Sequence, residues 1–231
     1  MSIHEGHRQR LKDRFRKEGL DGFDDLYVLE LLLFYCVPRR DTNPIAHRLL
    51  DRFGSVAGVL DAPAGDLKNV EDVGESVITF LSLIKSVWRR YETQKKETDH
   101  PLRDIEECGA YIRPYFIGRS NESVYLLCLD AKSKVICCTL VGEGSVNSAS
   151  VSVRKIVETA LNANATSVIL AHNHPSGLAI PSFEDVQTTK RIGKALQAVE
   201  VILVDHLVFA DGDFTSLTQS GQYSYREINH Y

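Results

Sequence analysis

Residues 168–185 read VILAHNHPSGLAIPSFED, and this segment is the most informative part of the sequence. The apolar run VILA predicts a buried strand that leads directly into His172 and His174. Side chains on a strand alternate with period two, so we expect both imidazoles on the same side of a sheet, roughly 6–7 Å apart along the strand. The Pro-Ser-Gly that follows ends the strand, which allows the chain to return and bring Asp185 to the same point.

Two histidines and one aspartate would supply the three protein ligands of a catalytic zinc site, with water in the fourth position. The pKa of that water falls to about 7 on zinc, so a nearby carboxylate has to carry its proton. Each part also has a structural explanation. A single His-x-His on a strand is often structural, and Ser182 to Asp185 matches the S-x-x-D pattern that caps a helix. Ser182 can serve both purposes, because a side chain fixed at that helix start would lie beside the metal.

The spacing of these residues resembles a known signature. His-x-His, seven residues, Ser182, two residues and Asp185 are similar to the JAMM (MPN/JAB) metalloprotease motif. The extended form HNHPSG…PS..D resembles the RadC branch of that superfamily. The resemblance covers about residues 103–225 with its motif and extends more weakly over residues 1–97. It implies a cytidine-deaminase-like α/β domain with a mixed sheet, preceded by a small all-helical domain.

The resemblance also implies roles for individual residues. Zinc would be held by His172, His174 and Asp185. Ser182 would help to stabilise the oxyanion. The catalytic Glu of the family precedes the first core strand, and Glu122 occupies that position here.

Some of these residue assignments have alternatives. Without the motif, Glu122 would be read as a solvated charge at a strand start. Glu143 lies between two glycines, in a predicted loop that could reach a metal, but its context matches the family Glu less well. Asp205-His206 resembles an Asp-His pair common in the family, for which a structural and a second-sphere role both stay open. Family members often have Pro-Arg-Glu before the metal strand, whereas residues 153–155 read VRK, so no role of that Glu is transferred.

The chain divides into a helical part and a mixed part. We predict a helical domain at residues 1–97, a polar linker at 98–103 and a JAMM/RadC-like zinc hydrolase domain at 104–231. In the last domain helices and strands alternate, which indicates a layered α/β fold. The predicted helices are 104–116, 154–162 and 182–198, and the predicted strands are 123–129, 134–141, 167–171, 201–205 and 207–210.

The helical domain carries one weak nucleic-acid signal. Residues 70–74, VEDVG, resemble a degenerate helix-hairpin-helix turn, a structure whose backbone N–H groups meet phosphate. Asp72 replaces the first glycine of that pattern, and the turn is acidic, so a structural connection is favoured over phosphate binding. Basic residues also cluster within residues 8–17 and 85–96. These clusters allow at most weak, non-specific DNA binding.

Composition restricts the environment of the protein. The chain has 231 residues, is 43% apolar and carries a net charge of −4, as globular proteins commonly do. No apolar run approaches the ~20 residues of a membrane-spanning helix, and the polar N-terminus lacks the apolar core of a signal peptide. The five cysteines are odd in number and form no C-x-x-C, which indicates reduced thiols. We therefore expect a cytoplasmic protein without a membrane partner.

These observations predict a zinc-dependent hydrolase, a metallopeptidase or isopeptidase of the JAMM type that acts on a peptide or protein substrate. Zn²⁺ is the expected cofactor, and Glu122 is the expected general base. One alternative is a DNA-associated repair accessory protein whose zinc domain is non-catalytic. Another is a protein-interaction module with structural zinc. The intact Glu122 and the three-ligand set favour the hydrolase, and the basic clusters alone support the DNA-associated alternative.

Overall fold

The computed structural model describes residues 3–95, 100–144, 152–175 and 177–228. The chain forms two compact units, Met1–Trp88 and Arg89–Tyr231, and the division falls inside the helix Glu75–Lys95. Part of the predicted linker at 98–103 lies outside the described residues, so the domain bounds given above stay a prediction. No helix among the described residues is long and apolar enough to cross a membrane.

In the first unit, every regular element among the described residues is a helix. Asp24 caps the second helix by accepting a hydrogen bond from the Tyr27 N–H at 2.9 Å. Gly54 ends the third helix with a φ of 81°, a left-handed conformation that glycine adopts without a steric penalty. The apolar faces of these helices enclose a core around Leu29, Leu33 and Leu49. The helices are α1 Ile3–Glu18, α2 Asp25–Cys36, α3 Asn43–Phe53, α4 Val56–Asp61, α5 Ala64–Lys68 and α6 Glu75–Lys95.

The second unit is a mixed sheet with helices. Its elements are α7 Ile105–Ile112, a 3₁₀ helix Arg113–Phe116, β1 Glu122–Leu129, β2 Val135–Gly144, α8 Val153–Asn162, β3 Ser167–Asn173, α9 Phe183–Gln197, β4 Ile202–Ala210, β5 Asp213–Ser216 and α10 Tyr225–Ile228. The five strands lie in the order β2-β1-β3-β4-β5. β3 and β4 are parallel, and the other neighbours are antiparallel. The predicted α/β fold with a mixed sheet is therefore confirmed.

Both faces of β3 are buried, which explains its continuous apolar sequence. Val168 and Leu170 contribute to a core with residues of α8 and α9. Ile169 and Ala171 contribute to a second core with residues of α7. Because His172 follows with the same alternation, its side chain belongs to the face that α8 and α9 cover.

β4 is one strand, although the sequence analysis predicts two, at 201–205 and 207–210. The polar residues at the predicted break, Asp205 and His206, both pair with β3, and the ladder has a one-residue irregularity at Val204, just before them. Both side chains are buried and hydrogen-bonded, so they can remain inside one continuous strand.

Candidate metal centre

Two histidines meet at the end of β3, the central strand of the sheet. His172 pairs with Val124 of β1 and with Val208 of β4, and its side chain is buried. His174 follows the strand end, where its backbone N–H donates to the carbonyl oxygen of Phe209 at 2.7 Å. The Nε2 atoms of the two histidines lie 2.9 Å apart. The structure thus brings both imidazoles to one point on one face.

Asp185 reaches the same point from the first turn of α9. Ser182 caps this helix: its Oγ accepts from the Asp185 N–H at 3.1 Å, and Asp185 Oδ2 accepts from the Ser182 N–H at 2.8 Å. The Ser182 hydroxyl also donates to Oδ2 at 2.6 Å. With Oδ2 held in this way, Oδ1 lies 3.4 Å from Nε2 of His172, and Oδ2 lies 3.8 Å from Nε2 of His174. The cap therefore orients the carboxylate towards both histidines.

The donor atoms of this set fit a zinc ion. Burial lowers the pKa of His172, and although the Asp185 carboxylate opposes the shift, the ring is neutral at pH 7. A neutral imidazole is the form that binds a metal. Zn–N bonds of 2.0–2.1 Å at tetrahedral angles place two ligand atoms about 3.3 Å apart. The 2.9 Å between the Nε2 atoms and the 3.4 Å from His172 to Asp185 lie close to that separation.

The tautomer that His174 adopts as a neutral ring is set by the contact of its second ring nitrogen. Nδ1 lies 3.0 Å from the carbonyl oxygen of Leu178, in the loop that returns the chain to α9. A carbonyl oxygen can only accept a hydrogen bond, so Nδ1 carries the proton of the neutral ring. In the neutral ring, Nε2 of His174 therefore presents its lone pair to the centre. The loop after the strand thus has a role beyond reversing the chain direction.

Glu122 begins β1 and faces the same centre. Its Oε1 lies 3.9 Å from Nε2 of His174. Ligand atoms of Glu122, His172 and His174 all lie within 4.8 Å of one another, so these three residues could also hold a metal ion. Burial raises the pKa of Glu122, the neighbouring His174 imidazole opposes the shift, and the Asp185 carboxylate adds to it. A raised pKa suits a carboxylate that exchanges a proton near neutral pH.

Glu143, the rival of Glu122, lies on the opposite face of the sheet. It belongs to β2 rather than to the predicted loop, and it pairs with Ser123. Because neighbouring residues of a strand point to opposite faces, the partner of Ser123 cannot share the face of Glu122. The Glu143 carboxylate forms an ion pair with Arg119 at 2.8 Å. Arg119 in turn donates to the Tyr125 hydroxyl at 2.6 Å, on that second face.

Asp205 has a structural role. Its carboxylate accepts hydrogen bonds from the His206 N–H at 2.7 Å, from the Thr218 N–H at 3.0 Å and from the Ser216 hydroxyl. These bonds join the middle of β4 to β5 and to the turn that follows it. The first residue of the Asp-His pair is therefore part of the sheet framework.

His206, by contrast, lies behind the His172 ring, on the side away from the metal centre. Its Nε2 lies 2.7 Å from Nδ1 of His172, and its Nδ1 lies 2.6 Å from Oγ1 of Thr189. Thr189 is a residue that the sequence analysis does not identify. The sequence offers one signal for Thr189. It lies one helical turn after Asp185 on α9, so the two side chains are on the same side of the helix.

Four of the five cysteine thiols lack the lowered pKa of an activated nucleophile. All five are free. Burial raises the pKa of Cys108 and of Cys128 to about 12, and it also raises the pKa of Cys36 and Cys138. The reactive form is the thiolate, which a raised pKa disfavours. The chemistry of the described residues therefore centres on histidine and carboxylate groups.

Comparisons with known proteins identify the family. Residues 102–222 match the family model described as a RadC-like JAB domain. The chain is also 34% identical to a UPF0758 protein of Fusobacterium nucleatum, over 224 residues that cover 94% of this chain and 97% of that protein. The chain belongs to the RadC-like JAB family. The resemblance that begins with residues 168–185 is thereby confirmed.

The RadC-like JAB match lies within the second compact unit, and it contains every residue of the candidate metal centre. Four elements or their boundaries supply these residues: β1, the end of β3, the start of α9 and the middle of β4. The similarity to the UPF0758 protein, in contrast, extends over most of both units. The helical unit is therefore part of what the two proteins share.

Proposed function

We propose that this RadC-like JAB protein is a zinc-dependent hydrolase of amide or isopeptide bonds, acting on a peptide or protein substrate. One observation carries the proposal: beside the set of two histidines and Asp185, a second carboxylate, Glu122, lies 3.9 Å from His174. A structural zinc site is closed by four protein ligands and needs no further titratable group. A hydrolytic site needs three protein ligands and a group that moves a proton.

Asp185 rather than Glu122 is the proposed third ligand. Its Oδ2 is held by two hydrogen bonds from Ser182, and its Oδ1 lies 3.4 Å from His172. The side chain of Asp185 is 8% exposed and that of Glu122 is 19% exposed. The more fixed and more buried carboxylate suits a ligand. The more accessible one suits a group that exchanges protons with a substrate.

The positions of these residues assign each of them a different role in the proposed hydrolysis. Zinc, when held by His172, His174 and Asp185, would act as a Lewis acid and increase the acidity of a water molecule. Glu122 takes the proton of the attacking water and passes it to the leaving amine. The Ser182 hydroxyl donates to Asp185 Oδ2 in this structure, so it must rotate away from that oxygen to support an oxyanion.

The test is a library of peptide and isopeptide substrates, incubated with the full chain after zinc loading and after chelation. We expect a subset to be cleaved by the zinc-loaded protein, no cleavage after chelation, and recovery when zinc is returned. Cleavage that continues unchanged in the chelator would contradict the proposal. An absence of cleavage by protein with one zinc per chain, across the library, would favour the structural-zinc alternative.

The described structure of the helical unit bears on the second candidate function, a DNA-associated accessory protein. Asp72 stands where the helix-hairpin-helix pattern has its first glycine. Its φ is 69°, in the left-handed region that favours glycine, so the turn accommodates an aspartate in that conformation. The Asp72 carboxylate forms ion pairs with Arg40 and, at 2.9 Å, with Arg48. The hydrogen bonds from these arginines lower the pKa of Asp72. An ionised carboxylate at this position opposes phosphate binding by the turn.

We therefore expect DNA binding to be weak and independent of sequence, with a Kd of about 10⁻⁴–10⁻⁶ M that rises steeply with salt. Replacing the exposed Arg10 and Lys17 of α1 by glutamine should weaken it and reduce the salt dependence. Arg154→Gln, an exposed arginine of the second unit, is the control and should have little effect. A fluorescence anisotropy titration against several duplexes measures this. Tight, sequence-dependent binding at physiological salt would instead support the accessory function.

A further inference from the structure

A chain of three short contacts runs from the backbone of Asp185 to His172. Thr189 Oγ1 lies 2.6 Å from the carbonyl oxygen of Asp185 and 2.6 Å from Nδ1 of His206. Nε2 of His206 lies 2.7 Å from Nδ1 of His172. Thr189 is 0% exposed, His206 3% and His172 4%, so water has little access to these groups. Each contact must therefore contain a proton supplied by one of its two partners.

The direction of each hydrogen bond can be derived from one end. The Asp185 carbonyl oxygen can only accept, so the hydroxyl proton of Thr189 points towards it. Thr189 Oγ1 has no second proton, and His206 must donate to it from Nδ1. A neutral imidazole has one N–H, so Nε2 of His206 is an acceptor. His172 must then donate from Nδ1, which leaves the lone pair of His172 on Nε2.

We propose that Thr189 and His206 are positioning residues that hold His172 in the Nδ1–H tautomer, with its Nε2 lone pair directed at the metal. The hydrogen-bonded chain itself does not depend on the proposed function, whereas its effect on metal binding rests on the proposed zinc site. The backbone carbonyl of one ligand, Asp185, sets the tautomer of another ligand, His172. The alternative tautomer would place a proton on Nε2, where it would block metal binding.

This arrangement has an electrostatic consequence at the centre. The Leu178 carbonyl holds His174 in the same Nδ1–H form. The Nε2 lone pairs of His172 and His174 then face each other across 2.9 Å. Two lone pairs at that distance repel unless a positive charge, a metal ion or a proton, lies between or beside them. The hydrogen-bonded chain therefore prepares the pair for a cation.

A hydroxyl bonded to the carbonyl four residues earlier is common for threonine in helices, so that bond alone would mean nothing. Thr159 of α8 makes the same bond, to the Lys155 carbonyl at 2.7 Å. What distinguishes Thr189 is the second contact of its oxygen, with His206. Thr159→Val is consequently a matched control for Thr189→Val, since each substitution removes a hydroxyl and keeps the branched shape.

The direct test is the ¹⁵N NMR spectrum of the imidazoles in the metal-free full chain. His172 should carry its proton on Nδ1 in the wild-type protein and in Thr159→Val. In Thr189→Val His206 is no longer required to donate from Nδ1, and His172 should become a mixture of tautomers. Thr189→Ser, which restores the hydroxyl, should restore the single tautomer. Protonation of His172 on Nε2 in the metal-free wild-type protein would overturn the proposal, whether or not the protein binds zinc.

Zinc affinity, measured by competition with a chelator, gives the second readout. Thr189→Val should bind zinc roughly 10–100-fold more weakly, the usual effect of losing a partner of a metal-binding histidine. Thr189→Ser should recover most of this loss, and Thr159→Val should show none. A merely structural role would lower the thermal stability of metal-free Thr189→Val without changing the tautomer. That result, or wild-type zinc affinity in Thr189→Val, would contradict the proposal.

Discussion

Glu122→Gln is expected to lower turnover by ~10²–10⁴-fold on any substrate that the protein cleaves. Glutamine keeps the size of the side chain and removes only its ability to accept a proton. Because we assign the third ligand to Asp185, zinc content should stay near one per chain. Turnover is compared at equal zinc occupancy, and thermal unfolding of the variant serves to show that the fold is intact.

Glu143→Gln is the matched control, and its effect on turnover should be small. Glu143 lies on the face of the sheet opposite His172, and its carboxylate is 2.8 Å from Arg119. Loss of that ion pair affects the surface around Arg119 rather than the metal centre. Near-normal turnover by Glu122→Gln together with an inactive Glu143→Gln would show that the base is wrongly assigned. If both variants stay active, the general-base mechanism itself fails.

The contrast between these two glutamates shows what a single sequence can and cannot establish. The resemblance to the JAMM family predicts Glu122 as the catalytic Glu, because it occupies the position before the first core strand. Its separation from Glu143 depends on the register of β1 with β2, in which Ser123 is opposite Glu143. Register is a property of paired strands, so neither segment alone reveals it. Likewise, the sequence predicts Glu143 to be in a loop because of its flanking glycines, whereas pairing extends β2 to Gly144.

Local signals predicted most of the elements of the fold. Asp24, Gly54 and Ser182 stand at helix ends with the geometry that their side chains or φ angles favour. α4 has only six residues, too few to show a helical periodicity, so its local signal is the cap formed by Ser55. β5, with four residues, is missed for the same reason, and it forms only by pairing with β4.

The candidate ligands could be placed from sequence because two local signals apply, a strand alternation and a helix cap. The alternation of β3, continued one residue past its end at Asn173, puts His172 and His174 on one face, and a helix cap places Asp185 in the first turn of α9. Thr189 and His206 could not be placed in this way. Their contact depends on how α9 packs over β4, which is a long-range arrangement without a local signature.

His174→Ala is expected to remove most of the bound zinc, which we predict at about one ion per chain in the wild-type protein. The substitution deletes one of three protein donors. It also leaves the Nε2 of His172 without the imidazole that lies 2.9 Å away. The loss of zinc affinity should exceed the roughly 10–100-fold effect of Thr189→Val, which removes a hydroxyl that does not bind the metal. Elemental analysis and chelator competition measure both quantities.

The comparison of two carboxylate variants decides the composition of the ligand set. Asp185→Asn should weaken zinc binding strongly, because its Oδ1 is the oxygen 3.4 Å from His172, whereas Glu122→Gln should leave binding nearly unchanged. His47→Ala, which replaces an exposed histidine of the helical unit, should have no effect. If Glu122→Gln loses zinc and Asp185→Asn keeps it, the ligands are Glu122, His172 and His174. Glu122 would then be occupied as a ligand, and a different group would have to move the proton. Absence of zinc from the supplemented wild-type protein would remove the basis of the hydrolase proposal altogether.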